Sequence, residues 1–205
     1  MPGIRGLCLC TSFVMGVLIA GRVCASPIQV TVNTSSLSGS IANLAFDLLD
    51  GGPPPNSVTI SSFASDGTLG STILLTGEVT GTLPGSVTIG DSGVFNEYLQ
   101  DTTLGSSLTF TFDTTGNTAA PGSSPDGFSF FLLDPETGAS LISPTADPTG
   151  NDALFLYAIG EPDPLQIYTD VVQATEVPSG APEPGALALV MAGLLGLGFV
   201  RSARR

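Results

Sequence analysis

The chain has 205 residues, enough for one domain plus targeting segments, and it sets 18 acidic residues against five arginines, with no lysine and no histidine. The arginines are Arg5, Arg22, Arg201, Arg204 and Arg205, so the stretch from Ser26 to Glu183 holds every acid and no base, a side-chain charge of −18. That balance excludes nucleic acid and anionic lipid as partners of the central region, since both are held chiefly through Lys and Arg. It also removes Ser-His-Asp and Cys-His sites, Schiff-base lysines, His-bearing zinc sites and cationic phosphate clamps.

At the N-terminus, Arg5 supplies a charged region, Leu7 to Ala20 an apolar region, and Val23-Cys24-Ala25 a small-residue site. Together they predict a signal peptide over residues 1–25, passed through the Sec translocon and cut by signal peptidase between Ala25 and Ser26. Arg22 lies close to that site, which keeps an uncleaved signal anchor as the alternative. Cys8, Cys10 and Cys24 all fall in this segment, so the processed chain has neither disulfides nor thiol chemistry.

From Ser26 the pattern changes to a period of two. Ile28, Val30 and Val32 alternate with Gln29, Thr31 and Asn33, the mark of a half-buried strand. Further strands are predicted over residues 37–49, 57–63, 72–79, 86–89, 107–113, 127–133, 153–159 and 166–174. Turn signals such as Ser65-Asp66-Gly67 and Thr115-Gly116-Asn117 separate them, and Asp50-Gly51-Gly52-Pro53-Pro54-Pro55 reads as a loop. Residues 92–100 dissent: Val94, Phe95, Tyr98 and Leu99 have a helix-like spacing that predicts one or two helical turns. The longest irregular stretch is Thr114 to Asp126. Short strands with turn-rich connections predict an all-β, antiparallel sandwich or jelly-roll-like domain over residues 26–176.

Only carboxylate chemistry is left to such a domain. A glycoside hydrolase needs two carboxylates across a cleft, but nothing in the spacing selects a pair from 18, and the expectation is that the protein is not an enzyme. With no Trp, the rings expected at the surface for sugar stacking are Tyr98, Tyr157 and Tyr168. No cofactor is expected unless it is Ca²⁺, which suits hard oxygen ligands on Gly/Pro-rich loops. Candidate clusters are Asp47 with Asp50, Asp134 with Glu136, and Asp147 with Asn151 and Asp152; none has EF-hand spacing, and the same groups serve equally as turn caps. Asn33-Thr34-Ser35 is a chance-level glycosylation sequon.

The C-terminal end reads as an address. Residues 177–185 form a Pro/Gly linker containing Pro182-Glu183-Pro184; residues 186–200 are 15 apolar residues; residues 201–205 contain Arg201, Arg204 and Arg205. As a helix the apolar run reaches roughly 22 Å against a hydrocarbon core of about 30 Å, short for a transmembrane helix yet insertable with bilayer thinning. The arginines place the tail in the cytoplasm and the bulk of the chain outside. A plain C-terminal anchor satisfies the same hydropathy. In this order and at this distance from the end, these features resemble the PEP-CTERM sorting signal of Gram-negative envelope proteins. The blocks Gly93 to Gln100, Leu108 to Asp113 and Pro125 to Asp134 are similar to the body of small PEP-CTERM proteins of unassigned activity.

That resemblance implies an exosortase as partner, a precursor held in the inner membrane by its C-terminal helix, and a mature form at the cell surface or in an extracellular polysaccharide (biofilm) matrix. The expectation is an exported, non-catalytic surface or matrix-associated protein. The alternative is a Ca²⁺-dependent carbohydrate-binding or adhesion module.

Overall fold

A computed structural model describes residues 26–143 and 152–178. The signal segment, Asp147, Asn151, the sorting motif Pro182-Glu183-Pro184, the apolar run and the arginine tail lie outside the described residues. The strands are β1 (Ile28–Asn33), β2 (Ile41–Leu49), β3 (Ser57–Ser65), β4 (Thr68–Thr76), β5 (Val79–Gly81) and β6 (Val87–Gly90). They continue with β7 (Phe95–Thr103), β8 (Ser107–Thr114), β9 (Gly127–Leu133), β10 (Phe155–Ala158), β11 (Leu165–Ile167) and β12 (Val172–Glu176).

Two antiparallel sheets of six strands face each other as a β-sandwich. The back sheet has the order β12-β1-β8-β3-β6-β5 and the front sheet β11-β10-β9-β2-β7-β4. Among the described residues the only helical element is the 3₁₀ turn Ser35–Leu37, and no helix is long and apolar enough to cross a membrane. The alternation that predicted strands is what builds the interior. In β8, Leu108, Phe110 and Phe112 are buried while Thr109, Thr111 and Asp113 are less so, and β1 buries Ile28, Val30 and Val32 opposite them. From the front sheet come Phe46, Phe128, Phe130 and Phe155.

These rings interlock across the interface. Phe110 lies edge-on to Phe46 at 5.1 Å and 5.2 Å from Phe130, while Phe112 is 5.0 Å from Phe128 and 5.1 Å from Tyr157. Tilted and T-shaped pairs at such spacings add about 0.5–1.5 kcal/mol each beyond the area they bury. With no basic residue between Ser26 and Glu183 there are no side-chain salt bridges to help, so burial and hydrogen bonding hold the sandwich together.

Residues 92–100 do not form helical turns. Phe95–Thr103 is a nine-residue strand, paired along its length with β2 in the register Leu49↔Phe95 to Ile41↔Thr103. Its inward residues are Asn96, Tyr98, Gln100 and Thr102, three of them polar, which hides a period of two from any hydrophobic count. They are tolerated inside because they are bonded. Asn96 Nδ2 donates to the carbonyls of Gly93 (2.7 Å) and Leu48 (3.3 Å), and Gln100 Nε2 donates to Gly70 O (2.9 Å).

The predicted strand at 72–79 is two strands in different sheets, β4 and β5, and that at 166–174 is likewise β11 and β12. β4 is the front sheet's edge. It has no charged residue, its register with β7 shifts twice, and it leaves Ile73, Leu74 and Leu75 about half exposed.

Candidate functional site

The outer face of the front sheet carries the site. Side chains alternate along a strand, so the residues of β2 between Ala42, Leu44, Phe46 and Leu48 point away from the core. These are Asn43, Ala45, Asp47 and Leu49. Register carries the pattern sideways: Asp47 pairs with Glu97 of β7 and Ser129 of β9, Ser129 with Leu156 of β10, and Leu156 with Gln166 of β11. Ala45 likewise lies between Leu99 and Phe131. For an outward face this is unusually apolar and unusually covered, with Ala45 fully buried and Ser129 and Asn43 only 5% and 8% exposed.

The cover is a groove. A cavity of about 650 Å³ opens over this face, with Asp47 and Ser129 on its floor and Leu49, Phe95, Phe131, Leu133, Leu156 and Tyr168 among its walls. One side is finished by the segment that follows β9. Asp134 N donates to Ala139 O (2.8 Å) and Leu141 N to Leu132 O (2.8 Å), so that residues 139–141 run along the part of β9 that β10 leaves free. Gly138 and Ala153 thereby reach the groove.

The other end is closed by the loop after β2. Gly51 passes so close to the 124–125 segment that a Cβ there would lie 2.4 Å from Ser124 O and 2.5 Å from Pro125 O. Only glycine fits that approach, and the loop is fixed by Gly51 N donating to Asp126 Oδ1 (2.7 Å) and Ser124 N to Gly51 O (3.2 Å).

That closure gathers three aspartates. Asp50, Asp91 and Asp126 come from three separate loops, and each presents a carboxylate oxygen within 4.8 Å of the other two. Asn56, almost fully buried, ties the loops together: its backbone N donates to Asp91 Oδ2 (2.6 Å) and its Nδ2 to Asp126 Oδ2 (2.9 Å) and Asn117 O (3.1 Å). Its Oδ1 accepts from Thr115 Oγ1 (2.8 Å) and Asn117 N (2.9 Å). Burial pushes the Asp91 carboxyl above its ordinary value, and the charges of Asp126 and Asp50 add to this against the Asn56 N–H. These are the described residues that could hold a divalent cation: two oxygens in one Ca²⁺ shell, each about 2.4 Å from the ion, are at most about 4.8 Å apart. Asp50 is also a groove residue, so such an ion would sit at the groove's rim.

Of the candidates read from sequence, Asp50 belongs to this triad, but its partners are Asp91 and Asp126, and Asp47 belongs to the groove floor. Asp134 Oδ1 accepts from the backbone N of Glu136 (3.0 Å) and Thr137 (2.8 Å) and from Thr137 Oγ1 (2.9 Å), which caps the turn after β9 and holds its carboxyl below the usual range. Asp152 is exposed in a left-handed conformation, with φ 59°.

The tyrosines are not surface platforms. Tyr98 is fully buried, with its hydroxyl bonded to Gln100 and accepting from Leu83 N (3.0 Å); Tyr157 is 6% exposed and packs on Phe112; Tyr168 is 6% exposed in the groove wall. The apolar ring body draws Tyr98 and Tyr157 into the sandwich and packs Tyr168 into the groove wall. The exposed ring at the groove is Phe95, 41% accessible.

Asp47 is the most perturbed acid of the site. Burial, together with the charge of Glu97 beside it, raises its carboxyl to about 7, and burial raises Glu97 as well. Comparison with family models, curated proteins and solved structures finds no match for this chain.

Proposed function

We propose that this chain is an exported, non-catalytic protein of the cell surface or extracellular matrix, routed by an exosortase acting at its C-terminal signal, whose folded domain binds saccharide in the front-sheet groove. The groove carries the binding half of this reading. Its size suits a few sugar units, since ligand clefts run to about 300–1,000 Å³. Phe95, Phe131 and Leu156 offer apolar surface to the C–H faces of a pyranose, while Asp47 and Ser129 offer oxygen acceptors and a hydroxyl to its O–H groups. The sorting half rests on the order of Pro182-Glu183-Pro184, the apolar run and the terminal arginines.

Affinity electrophoresis of the processed domain through gels containing soluble polysaccharides tests the binding half. Retardation by at least one polysaccharide, lost in Phe131→Ala, supports it; uniform mobility in neutral, acidic and amine-bearing polymers would sink it. New reducing ends after incubation with the retarding polymer would overturn the non-catalytic reading. Intact-mass measurement of the released protein tests the sorting half, which fails if Arg201, Arg204 and Arg205 remain attached.

The second reading is that binding depends on Ca²⁺, favoured by the Asp50, Asp91 and Asp126 cluster at the groove's rim. Millimolar Ca²⁺ should then raise Tm more than NaCl of matched ionic strength and restore retardation abolished by a chelator. Equal effects of the two salts leave screening of the −18 charge as the whole explanation.

A further inference from the structure

The floor of the groove has a chemistry of its own. Asp47 of the floor stands directly opposite Glu97, which lies on the adjacent strand just outside the cavity lining, an arrangement of like charges that costs stability in a sheet unless something compensates it. Asp47 Oδ1 is buried and receives no hydrogen bond from the protein. Two positions along the same outward face, Asn43 Oδ1 is also buried without a donor. Of the two residues paired directly with Asp47, Glu97 and Ser129, only Ser129 carries a side-chain donor, its hydroxyl. The stretch from Ser26 to Glu183 contains no Lys, Arg or His that could come to this face as a counter-charge. A buried acceptor left unsatisfied costs about 1–3 kcal/mol, more if charged, and a partner that is both a donor and a cation would supply the missing bond and offset the like-charge pair together.

A protonated primary amine is such a partner, with three N–H donors and one positive charge. The walls meanwhile ask for an apolar face alongside it, which Phe95, Phe131 and Leu156 would cover. A sugar ring with a free amine combines the two.

We infer that the groove selects amine-bearing glycans, seating the ammonium of a de-N-acetylated amino sugar on Asp47, on the side of its cross-strand neighbour Glu97, with the ring against Phe95 and Phe131. This rests on the reading of the groove as a saccharide site and adds the class of sugar. N-acetylation would remove both the charge and two of the donors, so acetylated polymers are excluded by the same two carboxylates that recruit the free amine. The raised affinity of Asp47 for a proton is consistent with a cation-seeking floor, since burial and Glu97 together hold its carboxyl near 7.

The test is calorimetric titration of the processed domain with three probes of one length: β-1,4-linked glucosamine oligomers, their N-acetylated counterparts, and cello-oligomers with hydroxyl in place of nitrogen. At about 0.15 M salt, attraction between charges more than about 8 Å apart is largely screened, so general polyanion attraction is reduced. The glucosamine oligomer should bind about tenfold or more tightly than either of the others, as expected for charge-assisted hydrogen bonds. Asp47→Asn should abolish that preference, Glu97→Gln should reduce it, and Asp113→Asn on the back sheet should leave it unchanged, with all three variants checked for an unaltered far-UV spectrum. Equal binding of the three probes would overturn the amine inference while leaving the saccharide groove standing. Binding of none would overturn both. An oligolysine of equal charge that binds as tightly and responds equally to Asp47→Asn, or an Asp113→Asn variant weakened as much as Asp47→Asn, would show that charge and not sugar is recognised.

Discussion

The two faces of β2 make the most instructive comparison in this molecule. One face, Ala42, Leu44, Phe46 and Leu48, is sealed against the back sheet by aromatic rings; on the other, Asn43 and Ala45 are buried, Asp47 is half-buried on the groove floor and Leu49 is 46% exposed. Both faces lose water, the second around Asn43 and Ala45, yet only the first pairs all its groups within the protein. A strand buried on both sides usually reads as a continuous apolar run, and here the run is broken by an amide and a carboxylate whose oxygens the protein leaves unpaired. Cover by protein selects for packing, while cover by a cleft leaves room for a polar group whose partner comes from outside.

Breaking the sealed face has the largest expected effect. Phe46 touches rings of both sheets, and Phe46→Ala should cost about 3–5 kcal/mol by urea denaturation. A loss below about 1 kcal/mol would mean the ring cluster can collapse around the gap.

The open face answers to pH instead. The folded-state carboxyl of Asp47 lies above its unfolded value of 3.8, at about 7, so the folded chain holds the proton more tightly. Stability is therefore fully present below the unfolded value, falls as pH rises from about 4 to about 7, and levels off above, with at most about 4 kcal/mol at stake. Asp47→Asn should flatten that slope. An unchanged slope in the variant would show that Asp47 does not titrate in this range.

The groove's closed end offers a third test. Asn56→Ala removes the side chain that joins Asp126 to the 114–117 segment and leaves buried groups unpaired, which should cost about 1–3 kcal/mol and speed proteolysis in the 114–126 loop. Proteolysis at wild-type rate would show that the loop is held by other bonds.

The smallest effect belongs to Asp66, which accepts hydrogen bonds from the Ser106 hydroxyl and the Ser107 backbone N and titrates near 2. Its contribution is present above the unfolded value of 3.8 and lost as pH falls through about 2. Asp66→Ala should lower Tm slightly at pH 5, and the difference should vanish in strong acid.

Much of the fold was legible because β1, β3, β8 and β9 bury their apolar residues on alternate positions, and their turns carry Gly, Asp and Asn. β7 was not, because its inward positions are Asn96, Gln100 and Thr102, which a hydrophobic pattern counts as surface. A signal did exist: Asn96, Tyr98, Gln100 and Thr102 are hydrogen-bonding groups at every second position. The breaks within 72–79 and 166–174 were invisible for a different reason, since changing sheets alters a strand's neighbours without altering its composition. Of the site, Asp50 could be suspected from its loop, but Asp91 and Asp126 join it only through Gly51 and Asn56. Asp47 reads in sequence as a partner of Asp50 in a candidate Ca²⁺ cluster, and only the register beside Glu97 and Ser129 places it on a groove floor instead.

The bulged edge β4 gives this domain the character of a charged colloid with one adhesive rim. Its open backbone groups and half-bare Ile73, Leu74 and Leu75 are a template onto which another strand could add, and no lysine or proline in the strand blunts it. Two features oppose such addition by a second copy: the two register shifts, which roughen the rim, and the mutual repulsion of two polyanions. The first of these is geometric and indifferent to the medium. The second reaches about 10 Å in 0.1 M salt and shrinks to about 3 Å near 1 M, so the dispersion of the protein is set by its surroundings as much as by its own surface.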